Sequence, residues 1–139
     1  MSIIASDTPD LLTMQYRPEL GVMDVRWLRP VAARELQQSY SMALEAAPAT
    51  RYWLLDLRQR GPASEDDTHW VLTQFVPDLA ARTRGRVYLA FLVAASQLSP
   101  EEQEAGSPMV LTDQAHVRLF AAEEPALHWL AGRQHHESD

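Results

Sequence analysis

The chain has 139 residues, 46% hydrophobic and 22% charged, with a formal net charge of −7. That length suits one domain around a single core, and the composition is that of an ordinary globular protein. The acidic balance argues against nucleic acid as a partner, because phosphate binding needs a basic surface or stripe and none is visible. Cysteine is absent and all twelve basic residues are arginine, which excludes disulfides, thiolate catalysis, cysteine-based zinc sites and the lysine of Schiff bases or P-loops.

The first ten residues, MSIIASDTPD, lack the basic start and the apolar stretch of about seven or more that make a signal peptide, so the expected location is cytoplasmic. The longest apolar runs are about eight residues, against the ~20 that cross a bilayer, and no membrane role is expected. A single domain spans residues 1–139, with 1–10 and 133–139 read as loose termini.

Leu11 to Tyr16 and Val22 to Trp27 are β-prone runs joined by Arg17-Pro18-Glu19-Leu20-Gly21, a turn of hairpin length. Pro30 stands at a helix start, and Leu36, Tyr40, Ala43, Leu44 and Ala47 follow at helical spacing until Pro48 ends the pattern. Tyr52 to Leu57 is apolar on both faces, the pattern of a central, largely parallel strand. After the Gly61-Pro62-Ala63 loop, Ser64 with Asp67 three residues on predicts a capped helix. Its buried face would hold Trp70 or Val71, Gln74, Phe75 and Leu79, with Pro77 kinking or restarting it.

Arg86 to Val93 is the most continuous apolar run and belongs in the middle of the sheet. From Ala94 to Ala115 the pattern supports one or two helical turns around Pro100 to Glu104, broken by Gly106 and Pro108. His116 to Ala121 reads as the last strand. Glu123 to Ala131 reads as a closing helix, with Pro125 in its first turn and Gly132 past its end. The order ββαβαβ(α)βα implies an open five-stranded mixed α/β sheet, an N-terminal β-hairpin followed by β-α units.

Asp56 stands where the Tyr52 strand should end, and ligands of open α/β sheets are met at that end. The candidate residues are therefore Asp56, Arg58, Arg60, Ser64 and His69. Ser64, His69 and Asp56 are the residue types of a hydrolase triad, but Gly-x-Ser-x-Gly is missing and the serine reads better as a cap. Arg58 and Arg60 beside a helix start could hold a phosphate or carboxylate. Glu65, Asp66 and Asp67 in the same turn oppose an anion, which favours a solvated loop. Asp66, Asp67 and His69 are metal-ligand types at a spacing that cannot converge on one ion, and acids are expected in a first turn in any case. Trp27, Trp53, Trp70 and Trp129, one per element, read as core anchors, and His135 and His136 as end sequence.

The hairpin ending in Arg26-Trp27, the strand Tyr52-Trp53-Leu54-Leu55-Asp56, the helix from Asp67-Thr68-His69-Trp70 to Phe75-Val76-Pro77, and Ala126-Leu127-His128-Trp129-Leu130 together resemble the STAS-like domains. These are related to the sporulation anti-sigma factor antagonist, and the likeness is greatest to the small stand-alone bacterial proteins of that fold in Bacteroidetes. The resemblance implies helices mostly on one face of the sheet and a regulatory role through protein–protein interaction. It also implies a switch by phosphorylation of a serine in an Asp-Ser-Ser-Gly motif at the start of the helix after the third strand. Here that region is Pro62-Ala63-Ser64-Glu65-Asp66-Asp67; the motif is absent and Ser64 is the counterpart.

The expectation is thus a non-enzymatic regulatory or protein-interaction domain, with no cofactor and an unidentified protein partner. The alternatives are a binding module for a small apolar or anionic ligand and a small hydrolase. With Tyr52 and Trp53 on opposite faces of one strand, and Val87 and Tyr88 on opposite faces of another, helices on one side would leave apolar surface bare. A homodimer burying aromatic side chains is therefore expected.

Overall fold

A computed structural model describes residues 2–4, 12–30, 32–46, 50–60 and 64–138. In chain order the elements are β1 (Ser2–Ile4), β2 (Leu12–Arg17), β3 (Val22–Trp27), α1 (Ala33–Ala46), β4 (Tyr52–Asp56), α2 (Glu65–Trp70), a π-helical turn (Val71–Phe75), α3 (Val76–Thr83), β5 (Val87–Leu92), a 3-10 turn (Ala95–Gln97), α4 (Pro100–Ala105), β6 (Ser107–Leu111), β7 (Ala115–Phe120) and α5 (Glu123–Ser138). The strands form one mixed sheet ordered β1-β2-β3-β4-β5-β7-β6. The five expected strands are its inner members β2, β3, β4, β5 and β7, and short antiparallel strands at both edges, β1 and β6, extend it. Among the described residues no helix is long and apolar enough to cross a membrane.

From β3 through β4 and β5 to β7 the strands are parallel and advance in one direction. Right-handed crossovers advancing one way deliver their helices to one face. There Leu36, Tyr40 and Ala43 of α1 and Val71, Phe75, Val76 and Leu79 of the second helical stretch pack on Trp27, Trp53, Leu55, Leu89 and Phe91. Helix α5 follows the last strand, belongs to no crossover, and takes the opposite face, laying Ala126 and Leu130 over Leu54, Tyr88, Ala90 and Leu92. Helices therefore lie mostly, but not all, on one face.

The premise of an aromatic homodimer is corrected here. Tyr88 is buried and Tyr52 half-buried, and the large apolar side chains left exposed among the described residues are Leu28 and Leu111. Ala126, Leu127, Trp129 and Leu130 of α5 cover the face of Tyr52 and Tyr88, and the helix continues to Ser138 rather than stopping at Ala131. Gly132 stays helical, and the side-chain amide of Gln134 donates to the Leu20 carbonyl at 2.7 Å, tying the late turns to the hairpin. Ser2–Ile4 pair with β2 and residues 133–138 are helical, while residues 1, 5–10 and 139 of the termini read as loose lie outside the described residues.

Three local differences have physical causes. Helix α1 starts at Ala33, not Pro30, because Glu35 accepts from the Ala32 N–H at 3.2 Å and from the Arg29 guanidinium at 2.9 Å, a cap set back from the proline. Pro77 has no N–H and would clash with the carbonyl four residues back. The chain answers with a wider turn, in which the Val76 N–H reaches the Val71 carbonyl, and the extra residue rotates Gln74 to solvent. In the segment after β5, α4 forms as expected, capped reciprocally by Ser99 and Glu102. The chain then pairs as β6 despite Pro108, which an edge strand tolerates. Gly106 makes that return possible: its φ is +82°, and a Cβ there would lie 2.6 Å from the Phe120 ring.

Candidate functional site

Asp56 ends β4 on the α5 face of the sheet, and 2% of it is exposed. Its carboxylate accepts from the Arg58 backbone N–H at 3.0 Å, from Arg58 Nε at 3.0 Å and from the guanidinium nitrogen of the same residue at 2.9 Å. Arg26, its register partner on β3, adds a contact at 3.3 Å. Asp24, two residues earlier on the same face, lies 3.8 Å from Arg26 and 3.9 Å from Arg17, and Arg17 donates to Glu123 at the start of α5 at 3.2 Å. Three guanidinium groups thus face Asp24, Asp56 and Glu123, and Arg17 also meets the exposed Glu19 at 3.5 Å.

The two aspartates titrate in opposite directions. Burial works against the Asp56 anion, but the Arg58 hydrogen bonds and the charges of Arg58 and Arg26 outweigh it and hold its carboxyl below the ordinary range. For Asp24 burial wins: Arg26 and Arg17 pull its pKa down, Glu123 and Asp56 push it up, and the net shift is upward. Its buried Oδ1 has no hydrogen-bond partner. Arranged this way, the cluster clamps β2, β3, β4 and the start of α5 together. The sequence offered one signal of it, the polar residues Asp24 and Arg26 alternating with apolar Met23, Val25 and Trp27.

Ser64 is the N-cap of α2, its hydroxyl accepting the Asp67 N–H at 3.0 Å. Ser64, Glu65, Asp66 and His69 are exposed. With Asp56 committed to Arg58 and Arg26, Ser64, His69 and Asp56 do not form a triad. Asp66, Asp67 and His69 do not form a metal centre either: among the described residues no three His, Cys, Asp or Glu side chains converge. Ser64→Ala should cost about 1 kcal/mol in urea unfolding. Ser64→Asp should be nearly neutral, because Asp also caps and suits the positive helix end.

Arg58 and Arg60 separate. Arg58 points at Asp56 and is partly exposed, whereas Arg60 is buried, 7% exposed, its Nε without a hydrogen-bond partner. The expected solvated loop is therefore corrected at Arg60. Among the described residues the strand order does not reverse beside β4, so no switch-point crevice of the kind ligands use in doubly wound sheets opens there.

At the other end of the α5 face, Tyr52 and Tyr88 stack at 5.3 Å and His116 meets Trp129 edge-on at 5.0 Å. Burial and then Arg133, Arg118 and Arg86 lower the His116 pKa. His128, Trp129, Gly132 and Arg133 line a shallow recess of about 360 Å³. Comparison with family models, with curated proteins and with solved structures finds no match to this chain.

Proposed function

We propose that this chain is a cytoplasmic, non-enzymatic regulatory or protein-interaction domain of STAS-like type. The observation that carries the reading is that its chemistry-bearing side chains are engaged separately: Asp56 by Arg58 and Arg26, and Ser64 by the Asp67 N–H. What remains at this end of the sheet is an exposed helix start bearing Ser64, Glu65 and Asp66, a surface suited to a protein partner. The hairpin-first strand order and the one-sided crossover helices support the family reading.

Affinity purification from the source cells, followed by binding measurements with the captured protein, tests this. A partner bound through this surface should lose well over tenfold in affinity on Ser64→Asp if a phosphoserine switch operates, through repulsion by Glu65, Asp66 and Asp67; a plain cap leaves affinity unchanged. Ester hydrolysis abolished by both Ser64→Ala and His69→Ala would replace the interaction reading with the hydrolase.

Self-association belongs to the same proposal, with its surface moved from the aromatic face to the edge strand β6, where Leu111 is 67% exposed. An open edge presents backbone donors and acceptors to a second copy. Light scattering at high micromolar concentration should report a dimer that Leu111→Glu converts to a monomer. A wild-type monomer under those conditions removes self-association from the reading.

A further inference from the structure

We propose that Arg60 forms a binding site for a small oxyanion, of phosphate or carboxylate chemistry, beside the turn that leaves β4. Arg60 is 7% exposed, its Nε has no hydrogen-bond partner, and it has no ion-pair partner among the described residues. Two residues earlier Arg58 is held by three hydrogen bonds to Asp56, so the nearby carboxylate is already spoken for. Its Nε is withdrawn from water while the terminal nitrogens reach the surface, so the charge is partly desolvated with no counter-charge beside it, which is costly. A lysine could shed its proton to escape that cost, but a guanidinium cannot. An anion drawn from solution supplies the missing charge.

Tyr40 is 1% exposed and near enough for the Arg60 charge to act on its hydroxyl. Burial keeps that hydroxyl protonated, and in the proposed site it serves as a second donor. Asp67, half-buried, acts on the same hydroxyl and opposes an anion, while Glu65 and Asp66 stand in solvent, where water screens them. The site does not use the helix start, whose Asp67 N–H already goes to Ser64. It holds whether or not this surface also meets a protein.

Thermal melts of the full chain in chloride, inorganic phosphate and acetate at matched ionic strength test the proposal. The wild-type midpoint should rise saturably with phosphate, acetate or both, and the stronger of the two names the ligand chemistry. Arg60→Met should melt no lower than wild type in chloride, since an apolar chain replaces an uncompensated charge, and should weaken anion binding tenfold or more. Tyr40→Phe should weaken it several-fold, and Asp67→Asn should tighten it several-fold. A wild-type midpoint indifferent to both anions overturns the proposal, as does an Arg60→Met variant that keeps the response. Asp67→Asn lowering the midpoint in chloride without tightening anion binding would make Asp67 the counter-charge instead. That variant decides the question alone should Arg60→Met fail to fold.

Discussion

Trp27→Ala is expected to lower the free energy of unfolding by about 4 kcal/mol, a large share of the 5–15 kcal/mol of a typical domain. Trp27 ends β3, is 0% exposed and faces α1. Its ring lies 4.9 Å from Tyr40; Tyr40 lies 4.7 Å from Phe75 and 5.9 Å from Trp70, and Phe75 meets Trp53 edge-on at 5.9 Å. One aromatic chain therefore joins the sheet, α1 and the π-helical turn, and removing its first member leaves a void bordered by elements too rigid to close it. The indole Nε1 also donates to Ser39 Oγ at 3.0 Å, but Ser39 passes its own proton to the Leu36 carbonyl at 2.7 Å and keeps that bond after truncation. Most of the loss is thus packing. Trp27→Phe, which retains much of the volume, should cost about 1–2 kcal/mol. Denaturant unfolding of the two variants measures both, and an alanine cost near that of phenylalanine would show that the wall collapses into the void.

Asp56→Asn should cost about 2–3 kcal/mol at neutral pH, while Asp24→Asn, on the same sheet face, should be neutral or stabilising by up to about 1 kcal/mol. Removing one partner from a buried ion pair costs about 3–5 kcal/mol. The lower figure applies because the Arg58 and Arg26 side chains are each 36% exposed and can turn to water. The sign follows from linkage. The folded-state pKa of Asp56 lies below its ordinary 3.8, so its contribution is complete above that value and is lost as pH falls through the folded pKa. Asp24 has a folded pKa above 3.8, so its contribution is greatest at low pH and declines as pH rises from about 3.8 through the folded value. Unfolding from pH 2 to 7 should show the Asp56→Asn difference shrinking toward acid. Asp24→Asn should gain relative to wild type as pH rises past about 4. Equal losses from both variants at neutral pH would contradict the opposite shifts.

What the sequence alone determined is what short-range physics controls. Tyr52–Asp56 and Val87–Leu92 were legible as inner strands because apolar side chains on both pleat faces leave no wet side. The Ser64 cap was legible because its donor, the Asp67 N–H, is three residues away. The C-terminal turns of α5 were missed because Gly132 resembles a stop, and the bond that holds them runs from Gln134 to Leu20, 114 residues apart. Strand β6 hid behind Gly106 and Pro108, which break local patterns yet suit a sharp return and an edge. Arg17 and Glu123, 106 residues apart, meet only once β7 has brought α5 back over the sheet. Burial of Arg60 has no local sign either, since Arg58 and Arg60 look alike in the chain. The hydrogen bonds of capping and the alternation of a pleat act between near neighbours and are written in the sequence; which arginine finds a carboxylate, and which is buried without one, is decided only where distant segments converge.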